Sequence, residues 1–568
     1  MSYGSYCCLR SIQRYGSYSF PHPFALLSLY KEKNEKIVKN NSKVCIFLAL
    51  LAAVLLIFSF PPFNLWHLAW VAFIPLFYIL DNSTGREVFL FYFLSGLLFW
   101  LYHIWWLTYV TFLGYSLLVV YLASFSGFFG LSLKFLKEKT HHPLLFLAPP
   151  LWILFEFIRN YLFTGFPWSL VGYSQWKNTP LIQISSITGV YGVSFLIIMV
   201  NAALADAVIG KTRKNLRNAI LSVLLIGCLF ATGENMMDRS RSEEGLKIII
   251  IQGNIPQNIK WKKRYEEEIL KVYTELSTEA VEESQSSLII WPETAYPGYI
   301  QRGSRLFKKL ENLILSIETP FLIGALSYRN GKNYNSAFLF SSSGEIEKIY
   351  NKLHLVPFGE YIPLKRIFSF LEKMTPEIGD YDKGEEYTVF SIQYSALSDE
   401  SSKAGKDRRF SVLICFEDLF PDLARRFTRS GANFLVNITN DAHFGDSACP
   451  WQHFTHSVFR AVENGVPVVR VANTGVSGFI DPDGRVKEVF RKKGRAIGKR
   501  GWMAHQLSFS SGKTFYTRFG DVFAYLNILY LAVLLSVLSR KSLKKYTGAY
   551  KNHEEVVDKT TSSRNGIS

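Results

Sequence analysis

The stretch SVLICFEDLFPDL (411–423) places Cys415 at the end of a strand-forming run, with Phe416, Glu417 and Asp418 directly after it. A thiol attacks as its thiolate, and a free cysteine titrates near about 8.5, so a nucleophilic Cys415 needs a base or a cation beside it. Free cysteine is more often a small buried apolar side chain, so the partners decide between the two readings. Histidine is the familiar base, and His354, His443, His453 and His456 occur in the same half of the chain. Two other stretches end apolar strands with ionisable groups. In WPETAYP (291–297) Glu293 stands between prolines, where an unpaired buried carboxylate would be costly. In YNKLHLVPFGEYIP (350–363) Lys352 follows a strand, and Glu360 comes eight residues later in a loop bounded by Pro and Gly. Sites of α/β proteins form at strand ends, so Glu, Lys and Cys could converge on one sheet edge. A base, a cation and a nucleophile together would suit covalent catalysis by the thiol. Cys449, before Pro450, lacks the strand-end setting and reads as structural, and His443 reads as a hydrogen-bonded loop residue.

The elements that must position these groups read as an α/β region. Apolar strand runs begin at LKIIIIQGNI (246–255) and SLIIWPET (287–294), with a helical stretch (264–283) between them. FLIGALSY (321–328), NSAFLFSSSGEIEKIYNKL (335–353), FSVLICFED (410–418), FLVNITND (434–441), VPVVRVANT (466–474) and SGFIDPDGRV (477–486) follow, with helical patterns at 420–430 and around 452–464. Residues 397–408 are a polar insertion and 234–245 a linker.

The rest of the chain has another grammar. Of 568 residues, 49% are hydrophobic and only 19% charged, against roughly 25% in soluble domains. Eight apolar runs stand out: 44–60, 65–80, 88–107, 115–133, 143–158, 190–209, 219–231 and 522–538. A membrane span needs about 20 such residues, or fewer with interfacial flanks. With the N-terminus inside, the basic segments 1–43, 81–87, 134–142, 210–218 and 539–568 all fall on the inner side. The loops near 61–64 and 108–114 carry no Lys or Arg, and 159–189 carries only Arg159 and Lys177. The α/β region then lies outside, in the periplasm of a bacterium with two membranes. The net charge of +17 clusters beside the apolar runs, which argues against nucleic acid as a partner. Six cysteines without ligand spacing argue against a metal site or a disulfide scaffold. Glu156 and Arg159, at membrane depth in the fifth run, are either functional or a mutual pair.

WPET, NK-HLVPFGEY and ICFED resemble the Glu–Lys–Cys signature of the nitrilase superfamily. LVPFGEY beside a membrane block is similar to the membrane-integrated branch, the apolipoprotein N-acyltransferases. TGFPWSLVGYSQ (164–175), GVYGVSFL (189–196), QGNIPQNIKW (252–261), NDAHFGDS (440–447), PWQHF (450–454), NTGVSGFIDPDGRV (473–486) and FYTRFGD (515–521) follow that family's order, over about residues 44 to 540. His443 and Phe416 depart from it, standing where Trp and Tyr are usual.

The resemblance implies a multi-pass α-helical membrane domain joined to an α/β nitrilase-like domain, an α-β-β-α sandwich. The expected boundaries are a basic cytoplasmic extension (1–43), a transmembrane domain of about seven helices (44–233), the linker (234–245), a periplasmic catalytic domain (246–510), a final span (522–538) and a basic tail (539–568). It implies Glu293 as general base, Lys352 as cationic stabiliser and Cys415 as nucleophile. Glu360, Phe416 and Glu417 are supporting residues, and Trp261 belongs to the acyl-substrate pocket. The implied reaction moves a fatty acyl group from a phospholipid to the N-terminal amine of a diacylglyceryl apolipoprotein, through a thioester, with no metal or organic cofactor. The expected protein is a monomer in the bacterial inner membrane. The loop 361–374 reads either as an interfacial lid or as an amphipathic surface helix. A membrane-tethered amidase with the same triad and a non-enzymatic sensor are the alternatives.

Overall fold

The computed structural model describes residues 42–239, 244–357, 359–361, 380–394, 406–510 and 512–540. The expected lid at 361–374 beyond Tyr361, the insertion at 397–408 up to residue 405, the extension before residue 42 and the tail after residue 540 lie outside the described residues.

Among the described residues, five helices are long and apolar enough to cross a membrane: Ser42–Ser59, Phe112–Thr140, Val190–Gly210, Arg213–Met237 and Val522–Arg540. The runs at 88–107 and 143–158 are also helical, as Gly85–His103 and Leu144–Tyr161. They fall outside the five because Arg, Glu, Pro, Asn, Tyr and His dilute their aliphatic content. The first starts on a capping box, in which Glu87 N–H donates to Thr84 Oγ1 and Thr84 N–H to Glu87 Oε2. The run at 65–80 is not one helix. It forms a 3-10 turn, Trp66–Trp70, and then a nine-residue helix, Ile74–Asn82, with Pro75 in its first turn. Proline has no N–H to donate inside a helix but fits at its start, so Pro75 begins a helix rather than continuing one. The run at 219–231 lies within a longer helix, Arg213–Arg239, so the first half of the segment 234–245 is helix, and a strand begins at Glu244.

Among the described residues, the α/β region contains twelve strands in two six-stranded sheets. These are β1 (Glu244–Gln252), β2 (Leu288–Ile290), β3 (Phe321–Arg329), β4 (Lys332–Phe340), β5 (Ile346–Asn351), β6 (Phe390–Tyr394), β7 (Lys406–Ile414), β8 (Phe434–Thr439), β9 (Val468–Ala472), β10 (Gly478–Ile480), β11 (Val486–Val489) and β12 (Gly501–Ser508). The sheet orders are β12-β1-β2-β3-β4-β5 and β11-β10-β9-β8-β7-β6. In each sheet three central strands run parallel, β1-β2-β3 and β7-β8-β9, and the outer neighbours are antiparallel. Ile248, Ile249, Ile250 and Ile251 of β1 are all buried, as an unbroken apolar run must be in a parallel strand covered on both faces. Each such side chain contributes about 1.5–3 kcal/mol by leaving water.

Helices Glu266–Glu283 and Arg305–Ile317 cover the outer face of the first sheet, sharing a core with Ile249, Trp291, Ile323 and Phe338. Arg305–Ile317 starts on Ser304, whose hydroxyl accepts from Phe307 N–H, and buries Phe307, Leu310, Leu313 and Ile314 at helical spacing. Helices Pro421–Arg429 and Cys449–Asn464 cover the second sheet. The two sheets face each other, and the expected sandwich is present. Strands β6 and β12 have no counterpart in the sequence-based expectation. β12 pairs antiparallel with β1 and closes the sheet edge.

The motifs at 164–175 and 189–196 join the membrane helices to the sandwich. Gln452 Oε1 accepts from both Trp106 Nε1 and Trp168 Nε1 at 3.0 Å, while its amide donates to His103 O. Arg460 donates to Tyr173 Oη at 3.0 Å and pairs with Glu463, which also accepts from Val190 N–H. Every one of these partners is buried, so the joint is a polar network shielded from water, although Arg460 Nε has no hydrogen-bond partner in it. Glu156 accepts from Val171 N–H at 2.8 Å, and the Arg159 guanidinium lies 5.1 Å from the Trp100 ring centre.

Candidate active site

Three segments that leave strands bring the candidate residues together. Glu293 lies three residues beyond β2, Lys352 directly after β5, and Cys415 directly after β7. Lys352 is 1% exposed, and its Nζ sits 2.9 Å from Glu360 Oε1 and 3.9 Å from Glu293 Oε1. An ammonium buried this deeply survives only with such partners. Burial alone would lower its pKa, but Glu360 and then Glu293 outweigh it and hold the group above the ordinary lysine value. Asn335, on β4, ties the two carboxylates together: its amide donates to Glu293 Oε1 at 2.7 Å and to Glu360 Oε1 at 3.1 Å. Its main-chain carbonyl also accepts from Lys352 N–H. Val356 N–H donates to the other Glu360 oxygen. Sequence reasoning missed Asn335, which is marked only by its contacts with Glu293 and Glu360.

Cys415 opens a 3-10 turn, Cys415–Leu419, with φ at +53°. A residue with a Cβ rarely adopts that conformation, and where it persists at a strand end its surroundings hold it there. Burial pushes the Cys415 thiol up in pKa, the Glu293 charge adds to this, and Lys352 opposes it. The resting group is therefore a thiol, and an attack requires a base to take its proton.

Glu417 is the clamp of this turn. Its carboxylate accepts from Leu353 N–H (2.6 Å), His354 N–H (2.9 Å), Ile414 N–H (2.7 Å) and the Tyr350 hydroxyl (2.8 Å). One fully buried side chain thus fastens the segment after Lys352 to the segment carrying Cys415. Burial raises the Glu417 pKa from 4.5 to about 7, against Lys352 and the N–H donors. Glu417→Ala leaves three main-chain N–H groups buried and unpaired. It should cost about 3 kcal/mol or more, read as a lower thermal midpoint of the full-length protein in detergent. A raised carboxyl pKa contributes stability that is complete below about 4.5 and lost as pH rises through about 7. Glu417→Gln should flatten the midpoint-versus-pH curve in that window.

A second buried cluster lies under Cys415. His453 lies 3.2 Å from Cys415 O, 2.9 Å from Asp418 Oδ1 and 3.1 Å from Asp441 Oδ1. Burial and Arg470 oppose charge on this ring, yet Asp418 and Asp441 hold its pKa above the ordinary histidine value. Arg470 in turn pairs with Asp418 at 2.9 Å. Asn437 donates to Cys415 O at 3.2 Å. Burial and the Lys352 charge hold His354 neutral, with a pKa of about 4. Phe416 packs near His354, Phe420 and Phe166, the last contributed by the loop after helix Leu144–Tyr161. Trp261 is half exposed and lies beside Lys260, whose Nζ is 5.8 Å from its ring centre.

Two families match this chain. Residues 52–203 match the apolipoprotein N-acyltransferase N-terminal domain, and residues 247–492 match carbon-nitrogen hydrolase. The chain is 36% identical to an apolipoprotein N-acyltransferase of Geobacter metallireducens over 514 residues, covering 87% of this chain and 95% of that protein. It is 30% identical to the apolipoprotein N-acyltransferase of Haemophilus influenzae, covering 88% of this chain and 97% of that one. Among solved structures, Nit3 of Saccharomyces cerevisiae aligns at 20% identity and a TM-score of 0.34, over 47% of this chain and 91% of Nit3. Identity sustained across both the membrane helices and the sandwich leads to one conclusion: the chain belongs to the apolipoprotein N-acyltransferase family.

Proposed function

We propose that this acyltransferase works by a two-step transfer through Cys415, with Glu293 as base and Lys352 as the cation that steadies developing negative charge. The observation that carries the reading is the buried Lys352 ammonium, held between Glu293 and Glu360 beside a thiol at a strained strand end. Glu293 takes the Cys415 proton, and the sulfur attacks the ester carbonyl of a phospholipid. The carbonyl oxygen gains negative charge, which Lys352 and the Phe416 main-chain N–H stabilise. One such donor is worth roughly 3 kcal/mol in other enzymes. The C–O bond then breaks, the lysophospholipid leaves with the proton held by Glu293, and Cys415 keeps the acyl group as a thioester. The α-amine of a diacylglyceryl-cysteine, at the N-terminus of an apolipoprotein, gives its proton to Glu293 and attacks the thioester. An amide forms, and the thiol is restored.

Both substrates have acyl chains, and drawing a chain fully into water costs about 0.8 kcal/mol per CH₂. A site joined to a membrane block avoids most of that cost. The basic inner loops support a sandwich on the periplasmic side of the inner membrane. In this reading Glu360, Phe416 and Glu417 support the site, Trp261 belongs to the acyl pocket, and the protein acts as a monomer. The catalytic domain is then the segment expected at 246–510, with β1 starting two residues earlier at Glu244.

The test is intact-protein and peptide mass spectrometry of the full chain after incubation with phospholipid, followed by addition of a diacylated lipopeptide. The expected results are an acyl adduct on Cys415, its loss on adding peptide, and N-acylated peptide in equal amount. Cys415→Ser should yield no triacylated product. Free fatty acid without acylated peptide would instead identify a hydrolase. Product at the wild-type rate from Cys415→Ser would remove Cys415 from the mechanism.

A further inference from the structure

The mechanism above leaves the buried ammonium of Lys260 unused. Lys260 ends the helical turn Gln257–Lys260 and is 4% exposed. Its Nζ donates to the main-chain carbonyl of Glu293 at 3.1 Å. An ammonium this far from water is kept only by such contacts. Burial lowers its pKa to about 8, while the charges of Glu293 and Cys415 act in the opposite direction. Lys260 therefore touches the backbone of the proposed base and lies within electrostatic reach of the proposed nucleophile.

Two features of the site call for such a group. The first is charge balance. Lys352 alone meets two carboxylates, Glu293 and Glu360, at 3.9 and 2.9 Å. With only that ammonium the pocket has excess negative charge, and a thiolate would add to it. A protonated Lys260 offsets the excess. The second is the turn carrying Glu293, where Thr294 has φ of +46°. On one side β3 holds this turn: Trp291 N–H donates to Leu322 O, and Tyr296 N–H to Gly324 O. That strand approaches so closely that a Cβ at Gly324 would collide with Pro292 O and Glu293 Cα. The Glu293 carbonyl itself is taken by Lys260.

We propose that Lys260 is a positioning residue of the acyl-transfer site, fixing the Glu293 turn through its carbonyl and supplying the second positive charge that favours the Cys415 thiolate. The inference rests on the proposed roles of Glu293 and Cys415. Because Trp261 follows directly, the same residue links the acyl-pocket segment to the base.

The test compares wild type, Lys260→Met and Lys260→Arg as full chains in detergent with phospholipid. Three quantities are read: the rate of Cys415 alkylation by iodoacetamide against pH, the rate of Cys415 thioester formation, and the KM for a diacylated lipopeptide. The titratable groups around Lys260 are Glu293 and Cys415, with Lys352 and Glu360 behind them. Lys260→Met should slow alkylation and acylation at neutral pH by about 10-fold or more and move the alkylation midpoint to higher pH. Lys260→Arg should recover most of the rate, and the lipopeptide KM should not move. Alkylation and acylation by Lys260→Met at wild-type rates would overturn the inference. So would an equal loss in both variants with an unshifted midpoint, since that is a structural role. Wild type that alkylates but never acylates Cys415 would sink the two-step mechanism instead, and the alkylation midpoints would still judge Lys260.

Discussion

Glu293→Gln lowers the rate of Cys415 acylation by about 10³-fold, within the range for a lost general base, and leaves the fold intact. The substitution keeps the shape. A glutamine oxygen still accepts the Asn335 amide now bound at 2.7 Å. It cannot take a proton, and burial keeps the Cys415 thiol protonated at rest. Mass spectrometry of the thioester over time measures the rate, and an unchanged thermal midpoint shows that the pocket has not collapsed. A rate within about threefold of wild type, far less than a lost base costs, would take Glu293 out of the proton path and return attention to the histidines. Of these, His453 is already held by two aspartates, and His354 is neutral beside Phe416 and Phe420.

Lys352→Met damages both catalysis and stability. Methionine matches the stem in length but leaves Glu293 and Glu360 facing each other across Asn335 with no cation. Removing one partner from a buried ion pair typically costs about 3–5 kcal/mol, visible as a lower thermal midpoint. Loss of charge stabilisation should slow acylation by a further 10²–10³-fold or so. The two defects are read separately, stability as the thermal midpoint and catalysis as the acylation rate of the protein that stays folded. Lys352→Arg should be nearly as slow as Lys352→Met, because a planar guanidinium cannot replace a compact ammonium 2.9 Å from one carboxylate and 3.9 Å from the other. Full acylation in Lys352→Met would end the proposed role.

Much of this was legible before any coordinates. The apolar runs marked the membrane helices, because a span is set by length and hydropathy over a contiguous segment. The strand runs β1, β3, β7, β8 and β9 were equally plain, since strands buried on both faces read as continuous aliphatic stretches. Less visible were β6 and β12, whose sequences FSIQY and GWMAHQLS mix polar with apolar residues. The run at 65–80 passed as one span because hydropathy sums ignore where a proline falls, and Pro75 divided it.

The candidate site divides along the same line. Residue types and strand-end positions singled out Glu293, Lys352, Glu360 and Cys415, because ionisable groups closing apolar runs are costly unless partnered. Nothing local could have singled out Asn335, Lys260 or the His453–Asp418–Asp441–Arg470 cluster. Their meaning lies in contacts across tens of positions, such as Lys260 with the Glu293 carbonyl or His453 with the Cys415 carbonyl. Sequence alone determined the membrane block, the strand runs and the candidate acid, amine and thiol, since composition and periodicity act along the chain. Only the tertiary structure decided which buried charges balance one another, because that depends on distance through a low-dielectric interior.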